Sequence, residues 1–224
     1  MIKRCLVLIL TLGIFLGVSG CMGEKNINEV ALERMELKYG EKFTYEGPFG
    51  DSMSGTRQFL ASCASLDELV LVEVENFRKG SAVYRDNYLA VRYREETEAF
   101  LRQCAEKEFG EVKISYIVRR VALSENLAAD ATFEEYLAEG GVPLSIMVGV
   151  KESGYASEEQ VRQMTERIGA SGVEFYMTFL VLVDGKFDAL DASELEQTES
   201  EKNYVRCAAI NDLGGSVQIR WLEG

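Results

Sequence analysis

Histidine is absent from this chain of 224 residues. Its absence excludes Ser-His-Asp and Cys-His catalytic machinery, an imidazole metal site and a histidine pH switch. Basic residues are also in the minority, with 24 Lys+Arg against 37 Asp+Glu and a formal net charge of −13. This balance argues against nucleic-acid binding, which depends on Lys and Arg neutralising phosphates. The apolar fraction of 47% is typical of a folded globular chain.

The N-terminus has the pattern of a targeting segment. Lys3 and Arg4 form a short basic region, and residues 5–18 follow as an uncharged apolar run. A membrane-spanning helix needs about 20 apolar residues, so this run is too short to span a bilayer comfortably. It has the length of the hydrophobic region of a signal peptide. We therefore predict a signal peptide at residues 1–20.

The motif Val18-Ser19-Gly20-Cys21 ends this segment and resembles the lipobox of bacterial lipoproteins, although Leu is commoner at the position of Val18. The resemblance implies cleavage before Cys21 and a thioether-linked diacylglycerol on that cysteine. Two acyl chains supply the double anchor that stable membrane attachment needs. Residues 21–27 would then be a short tether, and residues 28–224 a globular body on the extracytoplasmic face of the cell membrane.

Two alternatives stay open for this segment: an ordinary secretory signal with an incidental Cys21, and an uncleaved anchor. Cleavage would remove Lys3 and Arg4, so the mature chain would be two units more negative than the full one. Such an acidic body is repelled by anionic lipids, which leaves the lipid as the anchor. The body also resembles uncharacterised exported lipoproteins of Gram-positive bacteria.

Three further cysteines belong to the body, namely Cys63, Cys104 and Cys207. Their odd number permits at most one disulfide, and no CxxC or zinc-knuckle spacing is present. The favoured interpretation is that they are core thiols, since free cysteine is among the most buried residue types. One structural disulfide, which export would permit, and a catalytic thiolate without a His partner are the alternatives.

The first half of the body predicts an α+β arrangement. Hydrophobic periodicity and turn residues indicate a helix over 28–39, strands over 43–45, 56–64 and 69–75, and a mainly helical segment over 84–109. This order resembles cystatin-like folds, in which a helix packs across a curved antiparallel sheet. If the body has two domains, we expect the seam near Gly110.

The second half alternates strands and helices, which again predicts α+β with an antiparallel or mixed sheet. Two capping boxes, at Thr132 and Ser157, start helices. Asp184-Gly185 is a hairpin signal. The predicted strands cover 112–123, 144–150, 173–183, 204–210 and 216–221, and an acidic loop or short helix covers 186–202.

Motifs for phosphate binding and for hydrolysis are missing, since the chain has no GxGxxG, Walker A, GxSxG or SxxK sequence. The carboxylates of Asp184, Asp188 and Asp191 could form a loose Ca²⁺ site or merely a polar hairpin. A second group could bind a glycan or peptide, but a core-facing aromatic stripe flanked by solvated arginines is favoured. Its members are Tyr84, Tyr88, Tyr93, Arg85, Arg92 and Arg94.

These observations predict a membrane-anchored lipoprotein with a non-catalytic accessory or binding role and with no cofactor, catalytic residue or metal ligand assigned. One alternative is a membrane-tethered hydrolase that uses Asp/Glu carboxylates or a carboxylate-bound metal. It would require a deep pocket with two or more carboxylates of perturbed pKa. Another alternative is a module that binds a partner through the edge of a sheet.

Overall fold

A computed structural model describes residues 26–50, 55–75, 82–118, 127–139, 143–154 and 156–222 of the chain. The predicted signal peptide and Cys21 lie outside these residues. Two sheets are present, with strand orders β1-β2-β3-β4 and β5-β6-β7-β8-β9, and both are flanked by helices. The fold is therefore α+β, which confirms the class predicted from the sequence. No helix in the described ranges is long and apolar enough to cross a membrane.

The first sheet follows helix α1, Ile27–Tyr39, which buries Ala31 and Met35. The helix begins at Asn26, whose side chain accepts a hydrogen bond from the backbone N–H of Asn28. It ends at Gly40, whose left-handed φ of 73° suits a residue without a Cβ atom. These terminal signals fix the length of a helix that then packs against the sheet.

Four strands form the first sheet as a consecutive antiparallel meander: β1 Phe43–Pro48, β2 Thr56–Cys63, β3 Val70–Glu75 and β4 Val83–Asp86. Strand β3 shows why the sheet forms, since Val70, Val72 and Val74 alternate onto the core face. The expected antiparallel pairing of 56–64 with 69–75 is confirmed. The helix and the first three antiparallel strands follow in the order expected above, whereas β4 was not predicted; the cystatin likeness itself stays a prediction.

The prediction of helix from residue 84 was wrong for its first residues, because β4 pairs with β3. Arg85 lies between Glu73 and Glu75, with its Nη1 atom 3.3 and 2.7 Å from their carboxylate oxygens. This cross-strand pairing outweighs the local helical pattern. Helices α2, Tyr88–Arg92, and α3, Arg94–Phe109, follow the strand.

Five strands form the second sheet, which is mixed: β5 Val112–Tyr116, β6 Leu144–Lys151, β7 Phe175–Leu182, β8 Arg206–Asp212 and β9 Val217–Leu222. Only β6 and β7 run parallel, and helix α5, Glu158–Gly169, connects them. Both predicted capping boxes are confirmed, at Thr132 before helix α4, Phe133–Glu139, and at Ser157 before α5.

The segment between β7 and β8 corrects the hairpin prediction. Asp184-Gly185 starts helix α6, Asp184–Ala189, and a 3₁₀ turn over Ala192–Glu194 leads into helix α7, Leu195–Ser200. Strands β7 and β8 do pair antiparallel, but the chain between them crosses one face of the sheet first. The buried ring of Phe187 holds α6 on that face.

Helices α3 and α5 cover the other face of the second sheet, and the main core lies beneath them. The cluster of buried residues continues from this core into the first sheet. In the sequence, Gly110 lies between helix α3, which follows the first sheet, and strand β5, which begins the second. One continuous cluster of buried residues connects both sheets. The division of the body into one or two domains stays a prediction.

Candidate functional site

The face of the second sheet that points away from α3 and α5 is concave. A groove with a volume of about 870 Å³ runs between helix α7 and strands β6 to β9. Side chains alternate across a strand, so every second residue of these four strands points to this face. The strand register arranges these residues in three parallel rows across the sheet.

The first row is apolar; its residues on β6 to β8 are covered, whereas Leu222 on β9 is 37% exposed. It contains Gly149, Leu180, Cys207 and Leu222, which lie beside one another on β6 to β9. Leu195 of α7 packs over Gly149, and Leu180 and Cys207 are buried in the same small cluster. Helices α6 and α7 therefore close this end of the face, and the groove begins where their cover ends.

The second row contains Met147, Thr178, Ala209 and Arg220 on the same four strands. Its side chains change from apolar at β6 to cationic at β9. Met147 is buried, whereas Arg220 is exposed and forms no ion pair with any residue that the structure describes. This row is the middle of the groove floor.

The third row is polar throughout and open. Ser145, Tyr176, Asn211 and Gln218 lie side by side across β6 to β9. Each can donate and accept hydrogen bonds. The ring of Tyr176 is 51% exposed although β7 is the central strand of the sheet. An exposed aromatic ring among hydrogen-bonding groups is a combination that polar ligands use.

Helix α7 supplies the wall of the groove with Glu196, Gln197, Glu199 and Ser200. Local hydrogen bonds orient the turn before it. The carboxylate of Asp191 accepts bonds from the backbone N–H and the hydroxyl of Ser193, at 2.9 and 2.7 Å. These bonds lower the pKa of Asp191. Glu196 and Glu199 are exposed, so the wall of the groove is acidic, whereas the floor carries the cation of Arg220.

A second, smaller concavity of about 490 Å³ lies between α1 and β4. The guanidinium of Arg34 lies 4.1 Å from the ring centre of Tyr84. Lys38 is 3.8 Å from a carboxylate oxygen of Asp86. Because this concavity is smaller and offers few converging polar groups, the groove is the better candidate site.

The three cysteines of the body lie apart and are all free thiols. Cys104 is in α3 and Cys207 is in the covered row beside the groove, and burial raises the pKa of both thiols. A raised pKa opposes the thiolate form that a nucleophile requires. Cys63 is half-buried at the end of β2, with its Sγ atom 3.7 Å from the hydroxyl of Ser65.

The carboxylates considered for Ca²⁺ have separate partners. Asp184 accepts a hydrogen bond from Ser153 at 3.0 Å, and Asp188 pairs with Lys151 at 2.7 Å. Asp191 caps the turn before α7. Over the described ranges, no three His, Cys, Asp or Glu side chains are placed to hold a metal ion.

The tyrosines and arginines considered for glycan binding pack against the core or form ion pairs, except Arg92, which is exposed and lies 5.4 Å from the ring centre of Tyr93. Tyr88 is buried and stacks on Tyr39 with ring centres 4.0 Å apart. Arg94 donates to Glu68 at 2.6 Å, and Arg85 is held by Glu73 and Glu75 as described above. The structure therefore agrees with the core-facing stripe rather than with a binding surface.

Comparison of the chain with protein-family models, with curated proteins and with solved structures finds no match. The groove therefore has to be interpreted from its own geometry. None of its polar residues was singled out from the sequence. The signal that could have found them lies in β7, where one face is polar at Tyr176 and Thr178 and apolar at Leu180 and Leu182.

Proposed function

We propose that this protein is a lipid-anchored, extracytoplasmic binding protein that holds a polar ligand in the groove of its second sheet. The observation that carries the binding role is the open polar row, which the middle row separates from the apolar row. Hydrogen-bonding side chains from four strands converge there beside one exposed aromatic ring. Concave sites with a few convergent polar groups are the usual form of ligand-binding sites.

The lipobox motif and the start of the fold support the anchor. Helix α1 begins at Ile27, only six residues after Cys21. Five intervening residues span at most about 18 Å when extended. A diacylglycerol on Cys21 would therefore keep the body next to the membrane, where it could receive ligands at the cell surface.

The groove supports binding better than hydrolysis. Its wall carboxylates, Glu196 and Glu199, are both exposed and lie three residues apart on one short helix. Burial is the usual means by which a carboxyl group is tuned to act as a general acid. Exposed carboxylates are better suited to hydrogen bonding with a ligand than to proton transfer.

The anchor is tested by lipid labelling of the full chain in a bacterial host. We expect a palmitate analogue to label the native protein and the Cys21→Ala variant to lose both the label and membrane attachment. Cys63→Ala is the matched control, because it removes a half-buried thiol of the body. A Cys21→Ala protein that still carries the label would refute the anchor.

The binding role is tested by ligand-observed NMR with a panel of sugars, amino acids and short peptides. We expect at least one compound to bind, and Tyr176→Ala to weaken that binding at least about tenfold by removing the central aromatic contact. Tyr45→Ala is the control, since Tyr45 is a similarly exposed ring on β1 of the other sheet. No binder, or equal loss in both variants, would refute the groove as the site.

A further inference from the structure

The two edge strands of the second sheet, β5 and β9, differ in the contacts made by their outer backbone groups. At β5, side chains from α3 occupy the outer edge: Glu98 accepts a hydrogen bond from the backbone N–H of Tyr116 at 3.1 Å, and Arg94 donates to its carbonyl at 3.4 Å. These contacts satisfy the N–H and C=O of Tyr116, which another strand would otherwise bind at this end of β5.

The outer strands of the first sheet are also poor templates for pairing. Strand β1 has a register shift between Tyr45 and Gly47 and ends at Pro48, which has no backbone N–H to donate. Strand β4 has only four residues. Bulges, proline and short length are the common devices that protect sheet edges.

Strand β9 has none of these devices. Its six residues, Val217–Leu222, contain no Pro or Gly, and their register with β8 is continuous. Throughout the described ranges, no backbone group of β9 has a hydrogen-bond partner other than β8. Arg220 is the only charged side chain of the strand. Such a regular edge exposes unpaired N–H and C=O groups that another strand can bind.

This open edge is continuous with the groove. Gln218 and Arg220 of β9 end the polar and middle rows, whereas Ile219 and Trp221 are half-buried against the main core on the opposite face. A strand added beside β9 would therefore have one row of side chains beside the groove. Its other row would lie beside Ile219 and Trp221, and the guanidinium of Arg206 is 3.9 Å from the ring centre of Trp221.

We propose that the ligand of the groove is an extended polypeptide segment of another protein, which adds to β9 as a sixth strand. The inference rests on the proposed binding function and names its ligand class. Only a polypeptide backbone offers alternating donors and acceptors at the spacing of β9. Across from Arg220, which forms no ion pair with a described residue, the segment carries an acidic residue, and it places apolar residues beside Ile219 and Trp221.

The test uses the full chain in lipid nanodiscs and a display library of random nonapeptides. Trp221 is the only tryptophan of the chain and lies in β9, so its fluorescence reports binding at this edge. Each selected peptide is synthesised in two N-methylated forms, which block alternate backbone N–H groups on opposite edges of the peptide strand. Strand addition uses one edge alone, so one form should bind at least about tenfold more weakly and the other nearly unchanged.

The charge preference is tested with Arg220→Glu. We expect this variant to bind the selected peptides at least about tenfold more weakly than the native protein. Exchange of the acidic peptide residue for lysine should restore binding to the variant. Arg34→Glu is the matched control, because Arg34 is an exposed arginine of α1 on the other half of the chain. Circular dichroism of both variants verifies that they fold.

Four outcomes would overturn the proposal: no peptide is recovered, both N-methylated forms bind equally, Trp221 fluorescence is unchanged, or β9 instead pairs with a second copy of the chain. Pairing with a second copy would be recognised by a dimer in which the β9 amides are protected from hydrogen exchange. If a sugar or amino acid binds the groove in the NMR panel while no peptide does, the peptide proposal fails and the binding function stands.

Discussion

Gly149 should control the position of helix α7 and thereby the wall of the groove. A Cβ atom at residue 149 would lie 2.9 Å from Cδ2 of Leu195, 3.4 Å from Cδ1 of Leu182 and 3.6 Å from Cβ of Lys113. The first distance is too short for two carbon atoms. Leu195 is fully buried, so its side chain has little free space into which it can turn.

We expect Gly149→Ala to lower the free energy of unfolding by about 1–2 kcal/mol. Overpacking a filled core site costs about 1–3 kcal/mol. Replacing glycine also reduces the backbone freedom of the unfolded chain, which offsets about 0.5–1 kcal/mol of this destabilisation. Urea denaturation followed by circular dichroism measures the difference. The matched control is Gly185→Ala in α6, where a Cβ atom would meet nothing within 4 Å, so its stability should be unchanged or slightly higher.

A double-mutant cycle identifies the contact. In a Leu195→Ala background the obstructing Cδ2 atom is gone, so Gly149→Ala should cost nothing or stabilise the fold. Equal stability of Gly149→Ala and Gly185→Ala in the native background would show that Leu195 does not pack closely on β6. The position of α7, and with it the groove wall, would then need another explanation.

Two further predictions concern buried ionisable groups. The residue Asp212 is 4% exposed, and the Oδ1 atom of its carboxylate has no hydrogen-bond partner within the described part of the chain. Asp212→Ala should therefore raise the free energy of unfolding by about 1–3 kcal/mol. The control Asp130→Ala changes an exposed residue and should not raise it, as urea denaturation would test. Burial raises the pKa of Tyr136 to about 12 and also raises the pKa of Tyr39 and of Tyr116. Because these folded-state pKa values exceed the unfolded value near 10, the tyrosines contribute stability that is complete below about pH 10 and declines above it. Tyrosinate absorbance should show them ionising together with unfolding; ionisation of all ten tyrosines in one step, with an intact circular dichroism spectrum, would contradict this.

Much of the fold could be predicted because its local signals agree with its packing. The alternation of Leu144, Ile146 and Val148 predicts β6, and these side chains do form the buried face of that strand. The capping boxes at Thr132 and Ser157 start helices as predicted, since their hydrogen bonds involve only residues three apart. Such signals need no knowledge of the tertiary structure.

The failures occur where tertiary contacts outweigh local patterns. Asp184-Gly185 marks a hairpin only when the next strand follows at once. Here Phe187 is fully buried against the sheet, with the ammonium groups of Lys113 and Lys151 each 5.1 Å from its ring centre. This packing favours a helix across the sheet face. Residues 83–86 likewise become a strand because β3 offers them an edge.

The groove could not be predicted because its rows exist only after four strands are in register. Ser145, Tyr176, Asn211 and Gln218 are distant in sequence, and each alone resembles an ordinary solvent-facing position of a strand. A shift of one residue in any strand would move its polar side chain to the core face. The register is fixed by the buried face, where large side chains such as Phe179 must point inwards.

The face that carries the groove is polar at one end and apolar at the other. A sheet face that required only solvation would be polar along its whole length, and a face that required only burial would be apolar throughout. This face changes from Leu180 to Tyr176 within four residues of one central strand. Helix α7, which is only six residues long, covers the apolar part alone. The cover therefore ends between the apolar row and the mixed middle row, and the polar row beyond it is left open, which is the arrangement expected if the open row has a ligand to bind.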